Sequence, residues 1–253
     1  MKKVIKFLIR NVNKKYLLKM IEPASKILSL FYRGSNIYCP ICNKYFKKFL
    51  PYGVKPRENA LCPGCFSLER HRLIWLYLKN QTNFFKGQYR LLHVAPEPCL
   101  YKKFIALHNI NYTTIDLESP LAMIKADIHN IPCQENKFDI IICSDVLEHV
   151  KNDKEVMKEL YRVLKRGGWA ILRVPIDKTR IKTLEDNNIT SPLEREKYFG
   201  QKDHVRLYGL DFLQRFKNSG FRIEMINPLN KISKEMIERY KLPQNELIYL
   251  AKK

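Results

Sequence analysis

The stretch "KFDIIICSDVLEHVKNDKEVMKELYRVLKRGGWAILRVP", residues 137–175, decides the fold. Its first part, "KFDIIICS" (137–144), is a near-continuous apolar run, the pattern of a strand covered on both faces. "KEVMKELYRVLKRGG" (154–168) places Val156, Leu160, Val163 and Leu164 on one helical face and ends in glycines. "WAILRVP" (169–175) is a second buried strand. A strand, a helix and a strand joined by short links predict parallel pairing within a larger α/β sheet.

The pattern continues on both sides. Upstream, "YRLLHVA" (89–95) reads as a strand, "CLYKKFIALHN" (99–109) as a helix, "NYTTID" (111–116) as a strand and "AMIKAD" (122–127) as a short strand. Downstream, a helix at 210–219, a strand at 221–226, a helix near 232–241 and a strand at 246–252 close the chain. The expected architecture is a doubly wound, mostly parallel sheet. Ligands in such sheets bind beyond the carboxyl ends of the strands. That rule places Pro96, Asp116, Asp127 and Ser144 on one rim. The loop 176–207 is long and charged, which fits a substrate-side cover.

Ahead of the sheet lie two further pieces. "SLERHRLIWLYLKN" (67–80) reads as a linker helix, its Arg70, His71 and Arg72 serving packing or surface contacts. Residues 39–65 contain Cys39-x2-Cys42, nineteen residues, and Cys62-x2-Cys65. That spacing matches a four-thiolate structural zinc site, with Pro40, Pro63 and Gly64 supplying the turns inside each pair. Four protein ligands leave no open position for catalysis, so the ion holds together a ribbon too small to build its own core. Cys143 falls in a buried strand, and no chemistry is assigned to Cys99 or Cys133. The expected division is a basic amphipathic helical segment over 1–37, a zinc ribbon over 38–66 and a main domain over 67–253, with core 88–252.

The segment 1–37 carries nine Lys or Arg and one Glu. Ile5, Leu8, Ile9, Val12 and Tyr16 recur at helical spacing, as do Leu17, Met20, Ile21, Ala24, Leu28 and Phe31, and Pro23 is expected to separate two helices. Such a segment either lies on an anionic membrane surface or packs its apolar stripe on the main domain. No apolar run reaches the length of a membrane span. Lys and Arg number 46 against 25 Asp and Glu, a net charge of +21, which favours anionic partners: nucleic acid, anionic lipid or a phosphorylated substrate. An odd count of seven cysteines without an export signal points to a reducing cytoplasm.

The order of these pieces, with "SDVLEHV" and "LKRGG" between the two buried strands, resembles the class I S-adenosylmethionine-dependent methyltransferases, most nearly the group called type 11, over residues 88–252. The resemblance implies a Rossmann-like fold, an S-adenosylmethionine cofactor and an enzyme. It implies that Asp116 in "TTID" grips the ribose hydroxyls and that Asp127 stands beside the adenine with the Ile128 backbone. It implies that Ser144, Asp145 and Val146 form the turn near the sulfonium. One piece departs from the family. Where its loop reads acid-x-Gly-x-Gly-x-Gly, this chain has "HVAPEPC" (93–99). S-Adenosylmethionine carries no phosphate, so the demand for close glycine backbone is weaker. Ala95 is small, Pro96 and Pro98 stiffen the turn, and Glu97 is placed to meet the cofactor's ammonium.

The reaction implied is an in-line displacement at the methyl carbon, where positioning supplies much of the rate. An oxygen nucleophile of high pKa also needs a base. His149 in "LEHV" and His204 in "KDHVRLYG" are the first candidates, Asp145 and Glu148 stand behind them, and Arg206 and Tyr208 are possible substrate contacts. Three function classes stay open: a methyltransferase for a small molecule, cell-surface saccharide or lipid-linked precursor; an RNA methyltransferase whose ribbon grips phosphates; and a non-catalytic zinc-ribbon binding protein. For RNA, Lys44, Lys47, Lys48, Lys55 and Arg57 interleave with Tyr45, Phe46, Phe49 and Tyr52.

Overall fold

The computed structural model describes residues 14–253. Ile5, Leu8, Ile9 and Val12 lie outside the described residues. A seven-stranded sheet forms the centre. Its strands are β5 (Tyr89–Val94), β6 (Ile110–Asp116), β7 (Ile124–Lys125), β8 (Phe138–Ser144), β9 (Leu164–Arg173), β12 (Arg222–Ile226) and β13 (Ile248–Lys252). They run in the order β12-β13-β9-β8-β5-β6-β7. The five strands from β9 to β7 are parallel, and β13 joins β9 and β12 antiparallel. The sheet is Rossmann-like. The chain leaves β5 toward β6 and β7, then returns to β8 on the opposite side of β5. That reversal is the topological switch point, the place where such sheets bind their ligands.

Alternation along the central strands loads two separate cores. Leu92, Val94, Ile141, Cys143, Ala170 and Leu172 cluster on one face with Val156, Met157, Leu160 and Val163 of the helix Asp153–Val163. Leu91, Ile140, Ile142 and Ile171 point to the other face, against Ile74, Tyr77 and Leu78 of the helix Glu69–Gln81. Covering both faces is why these strands read as continuous apolar runs.

The ribbon joins the second core. Its strands β1 (Arg33–Cys39) and β2 (Lys44–Phe46) pair antiparallel, as do β3 (Leu50–Tyr52) and β4 (Arg57–Leu61). Ile37, Ile41, Phe46 and Phe49 pack in the same cluster as Leu91 and Ile140. Arg72 locks the pieces together. Fully buried, its guanidinium donates to the carbonyls of Ala60 in the ribbon, of Ser67 just past it, and of Tyr240 and Lys241 near the C-terminus, at 2.9–3.0 Å. It also stacks 4.6 Å from the Phe49 ring centroid.

Three sequence expectations change. The helix Lys14–Phe31 continues through Pro23, which removes one backbone bond and does not divide it. The helix expected over 154–168 stops at Val163, and Leu164 already begins β9, opposite Phe138 of β8. The register then jumps to Ile140 opposite Trp169, so Lys165–Gly168 bulge out of the ladder. The cover 176–207 carries regular structure that its sequence did not predict. It contains β10 (Leu184–Glu185), the helix Pro192–Phe199 and, at its end, β11 (Arg206–Leu207), which pairs with β10.

Candidate active site and metal centre

The carboxyl ends of β5, β6 and β8 come level because their registers match: Val94 faces both Ile115 and Cys143. Beyond that line the chain sets out every cofactor-binding residue expected from the sequence. Ala95 follows β5 and donates its amide to the Ile115 carbonyl at 2.9 Å. Its φ is +49°, the left-handed region that glycine normally fills. The loop therefore keeps the backbone of a glycine turn with alanine, the smallest residue that has a Cβ. Ala95→Val adds a branched Cβ there and is expected to destabilise the protein by about 1–3 kcal/mol, read by denaturant unfolding, and to weaken cofactor binding in parallel.

Pro96 is buried behind this turn, and Glu97 precedes the helix Pro98–Phe104. The Glu97 carboxylate is already held. Its Oε2 lies 2.7 Å from His93 Nε2, and Oε1 lies 3.6 Å from His71 Nε2. Burial opposes its ionisation, but the hydrogen bond and electrostatic attraction to His93 prevail and hold it at about 2. His71 itself is pulled down to about 3, mainly by burial. Glu97 thus braces the loop internally through its hydrogen bond to His93.

Asp116 ends β6. Its Oδ1 accepts the amides of Glu118 and Ser119 at 2.8 and 2.7 Å, leaving Oδ2 without a partner among the described residues. Asp127 lies two residues past β7, exposed; its Oδ1 accepts both the backbone amide and Nδ1 of His129, which lower its pKa. Ile128 beside it is buried. Ser144 ends β8 with a buried Oγ that finds no partner among the described residues. Asp145 has φ +56° and turns its carboxylate between Arg70, whose Nε lies 2.6 Å away, and Arg173. Val146 follows, half-buried.

The structure therefore brings Arg70 into the site, where sequence reasoning assigned it to packing or surface. No local signal marked it, since Asp145 lies on a distant strand end. An unsatisfied Ser144 hydroxyl, a free Asp116 oxygen and a clamped turn at a switch point fit a nucleoside cofactor better than a packed core.

The two candidate bases also meet. His149 follows the β8 turn, and His204 is delivered by the cover. Their ring centroids stand 4.8 Å apart, edge to face. His149 is exposed and its Nδ1 lies 3.3 Å from the Asp203 carbonyl. His204 is buried, its Nδ1 3.0 Å from the Phe199 carbonyl, and burial followed by the neighbouring His149 lowers its pKa. Glu148 joins them. Burial, then the Asp145 charge, pushes its carboxyl up to about 8.

Arg206 and Tyr208, expected as substrate contacts, are structural. Arg206 is buried and donates to the carbonyls of Leu147, Val150 and Lys151 at 2.5–2.8 Å. The Tyr208 hydroxyl bonds Asp153 at 2.7 Å. Together they fasten the cover to the turn that carries Glu148 and His149.

In the ribbon, Cys39 and Cys65 sulfurs lie 3.6 Å apart and those of Cys42 and Cys62 3.8 Å apart. All four fall within 4.8 Å of one another. Two sulfurs sharing a tetrahedral zinc at about 2.3 Å lie about 3.8 Å apart, so the tetrad fits that ion. Each pair closes alike: Asn43 donates to the Cys39 carbonyl and Phe66 to that of Cys62, both at 2.9 Å and both with φ +55°. A Cβ on Gly64 would come within 2.7 Å of Phe46 and 3.2 Å of the Cys42 sulfur, so glycine is needed there.

Residues 99–172 match the family model described as "Methyltransferase domain". The window takes in Asp116, Asp127, Ile128, Ser144, Asp145, Val146 and His149, and begins past the Ala95–Glu97 turn. An uncharacterized protein of Methanocaldococcus jannaschii is 34% identical over 28% of this chain and 36% of its own length. The malonyl-[acyl-carrier protein] O-methyltransferase of a Marinomonas species is 27% identical over 47% of this chain and 35% of its own. The chain thus spans little more than a third of either curated relative. Among solved structures, phosphoethanolamine N-methyltransferase 2 of Haemonchus contortus with S-adenosyl-L-methionine is 16% identical, with a TM-score of 0.43 over 67% of this chain and 41% of that one.

Proposed function

We infer that this chain, whose residues 99–172 form a methyltransferase domain of the class I, S-adenosylmethionine-dependent kind, methylates an oxygen acceptor at the carboxyl rim of its sheet. The acceptor class we favour is a small molecule, cell-surface saccharide or lipid-linked precursor. The observation that carries this reading is the Glu148–His149–His204 cluster, set in and against the turn that follows Ser144 and Asp145. An amine acceptor needs only to be unprotonated. A hydroxyl must shed its proton as it attacks, and needs such a group beside it.

When bound, S-adenosylmethionine supplies a methyl group already activated on a sulfonium. Asp116 is suited to accept both ribose hydroxyl protons through its free oxygen. The Asp127–Ile128 segment would flank the adenine, and the Ser144 hydroxyl would meet the donor's polar end. Ala95 and Pro96 would form the turn beside it. The folded cover holds His204 in place, so the cluster can manage the acceptor's proton where the methyl arrives. The four cysteines would hold zinc and, through Arg72, keep Arg70 and His71 positioned behind the loop.

The helix Lys14–Phe31 supports an acceptor at an anionic membrane surface: Met20, Ile27, Leu30 and Phe31 are exposed on it. Among the described residues, no helix is long and apolar enough to cross a membrane. A second reading, RNA as acceptor, draws on exposed Lys44, Lys47 and Lys48 beside exposed Tyr45 and Tyr52; Phe46 and Phe49 are core. Incubating the protein with methyl-labelled cofactor and separate saccharide, lipid and RNA fractions tests both. Label is expected in the saccharide or lipid fraction and should fall at least tenfold with His149→Ala. Label in RNA alone would overturn the favoured acceptor class.

A further inference from the structure

We propose that Glu148, His149 and His204 form a binding site for one divalent transition-metal ion, distinct from the cysteine tetrad, and that this ion takes the acceptor's oxygen. One ligand atom from each residue lies within 4.8 Å of the others. Donor atoms about 2.1 Å from a shared ion stand about 3–4 Å apart, so side-chain adjustments of about an ångström close the site.

The atoms are arranged as ligands are. His204 is 3% exposed, and its Nδ1 is engaged with the Phe199 carbonyl. That contact fixes the proton on Nδ1 and leaves the lone pair on Nε2. His204 Nε2 is buried and has no partner among the described residues. His149 repeats the arrangement, its Nδ1 turned to the Asp203 carbonyl at 3.3 Å and carboxylate at 3.4 Å. An imidazole whose far nitrogen is held by a carbonyl or carboxylate is oriented in the manner of a metal ligand. Glu148 is 1% exposed, and its Oε2 too is buried without a partner. Two buried polar atoms left without partners, beside the lone pair of His149, are costly. One cation satisfies all three.

The scaffold holds this geometry against relaxation. Val205 donates to the Glu148 carbonyl at 2.9 Å, tying the cover to the turn residue by residue. Two imidazoles and one carboxylate suit Zn2+, Mn2+, Fe2+ or Co2+ better than Mg2+ or Ca2+, which prefer oxygen ligands. Three protein ligands leave coordination positions open, the mark of a working rather than a purely structural site. The cysteine tetrad, with four protein ligands, is the structural counterpart.

The role for the ion rests on the reading of the chain as a methyltransferase for oxygen. The acceptor hydroxyl binds at the open position and its proton passes to solvent. The oxygen lone pair then forms the O–C bond to the methyl group, while the C–S bond breaks and its electron pair stays on sulfur, converting sulfonium to thioether. Charge and atoms balance without a further reagent.

The test begins with native protein whose tetrad is already filled with zinc. Mn2+ and, separately, Zn2+ are titrated by calorimetry, and S-adenosylmethionine binding is measured on the same samples. One further ion per chain is expected for at least one of the two metals. His149→Ala, an exposed position that should fold normally, and His204→Gln are each expected to weaken it at least tenfold, with melting curves showing that both variants are folded. No further ion on the folded native protein, or native-like affinity in both folded variants, overturns the site. Cofactor binding without a further ion sinks the metal site and leaves the methyltransferase reading standing. An ion that binds and responds to the variants, without cofactor, supports the site and sinks the role given to it in methyl transfer.

Discussion

Cys62→Ser is expected to strip the protein of its ribbon zinc and to lower its melting temperature by at least about 10 °C. Structural zinc in small domains contributes an apparent 10–16 kcal/mol at neutral pH, far more than the few strands of a ribbon provide alone. Here the loss should spread. Phe46 and Phe49 share a cluster with the sheet residues Leu91 and Ile140, so an unfolded ribbon uncovers part of the main core. Metal analysis and a thermal melt check the outcome, and a strong chelator should reproduce it in the native protein. A variant that keeps its zinc and melts like the native protein would show that the tetrad is not a zinc centre.

The second large effect belongs to Arg72. Replacing it with Met keeps much of the volume and removes the guanidinium, leaving four carbonyls, those of Ala60, Ser67, Tyr240 and Lys241, to be satisfied some other way. An unpaired buried polar group costs about 1–3 kcal/mol. Even with partial relaxation, Arg72→Met should cost at least about 3 kcal/mol, measured as a shift in denaturant midpoint at unchanged slope. A change below about 1 kcal/mol would mean that the ribbon, the helix Glu69–Gln81 and the C-terminal segment do not depend on that plug.

The sheet was legible from its residues because burial on both faces writes itself into a strand as an unbroken apolar run, as in "DIIICS" and "WAILRV". The tetrad was legible because its two Cys-x2-Cys pairs are marked by local spacing. Long-range pairing was not. Arg72 looked like an ordinary helix residue because its carbonyl partners near the C-terminus lie 168 and 169 positions away. Arg70 hid its contact with Asp145 for the same reason. His149 and His204 were each picked out by residue type, yet only the folded cover shows that they converge and that Glu148 stands with them. Arg206 and Tyr208 misled in the opposite direction. A charged loop that ends in an arginine and a tyrosine resembles a substrate contact until the buried carbonyls beneath it are seen. The end of the helix at Val163 was obscured because Leu164 satisfies the helical period and the strand equally well.

The glycine-free turn is where the account is most exposed. Ala95 keeps a left-handed backbone and Glu97 is fastened by His93, so the loop is rigid in place of being bare. The direct measurement is a calorimetric titration of the zinc-loaded protein with S-adenosylmethionine, with Asp116→Ala alongside. Binding by the native protein, weakened at least tenfold (about 1.4 kcal/mol) in the variant, is the predicted result. A folded, zinc-loaded native protein that takes up no S-adenosylmethionine would contradict it.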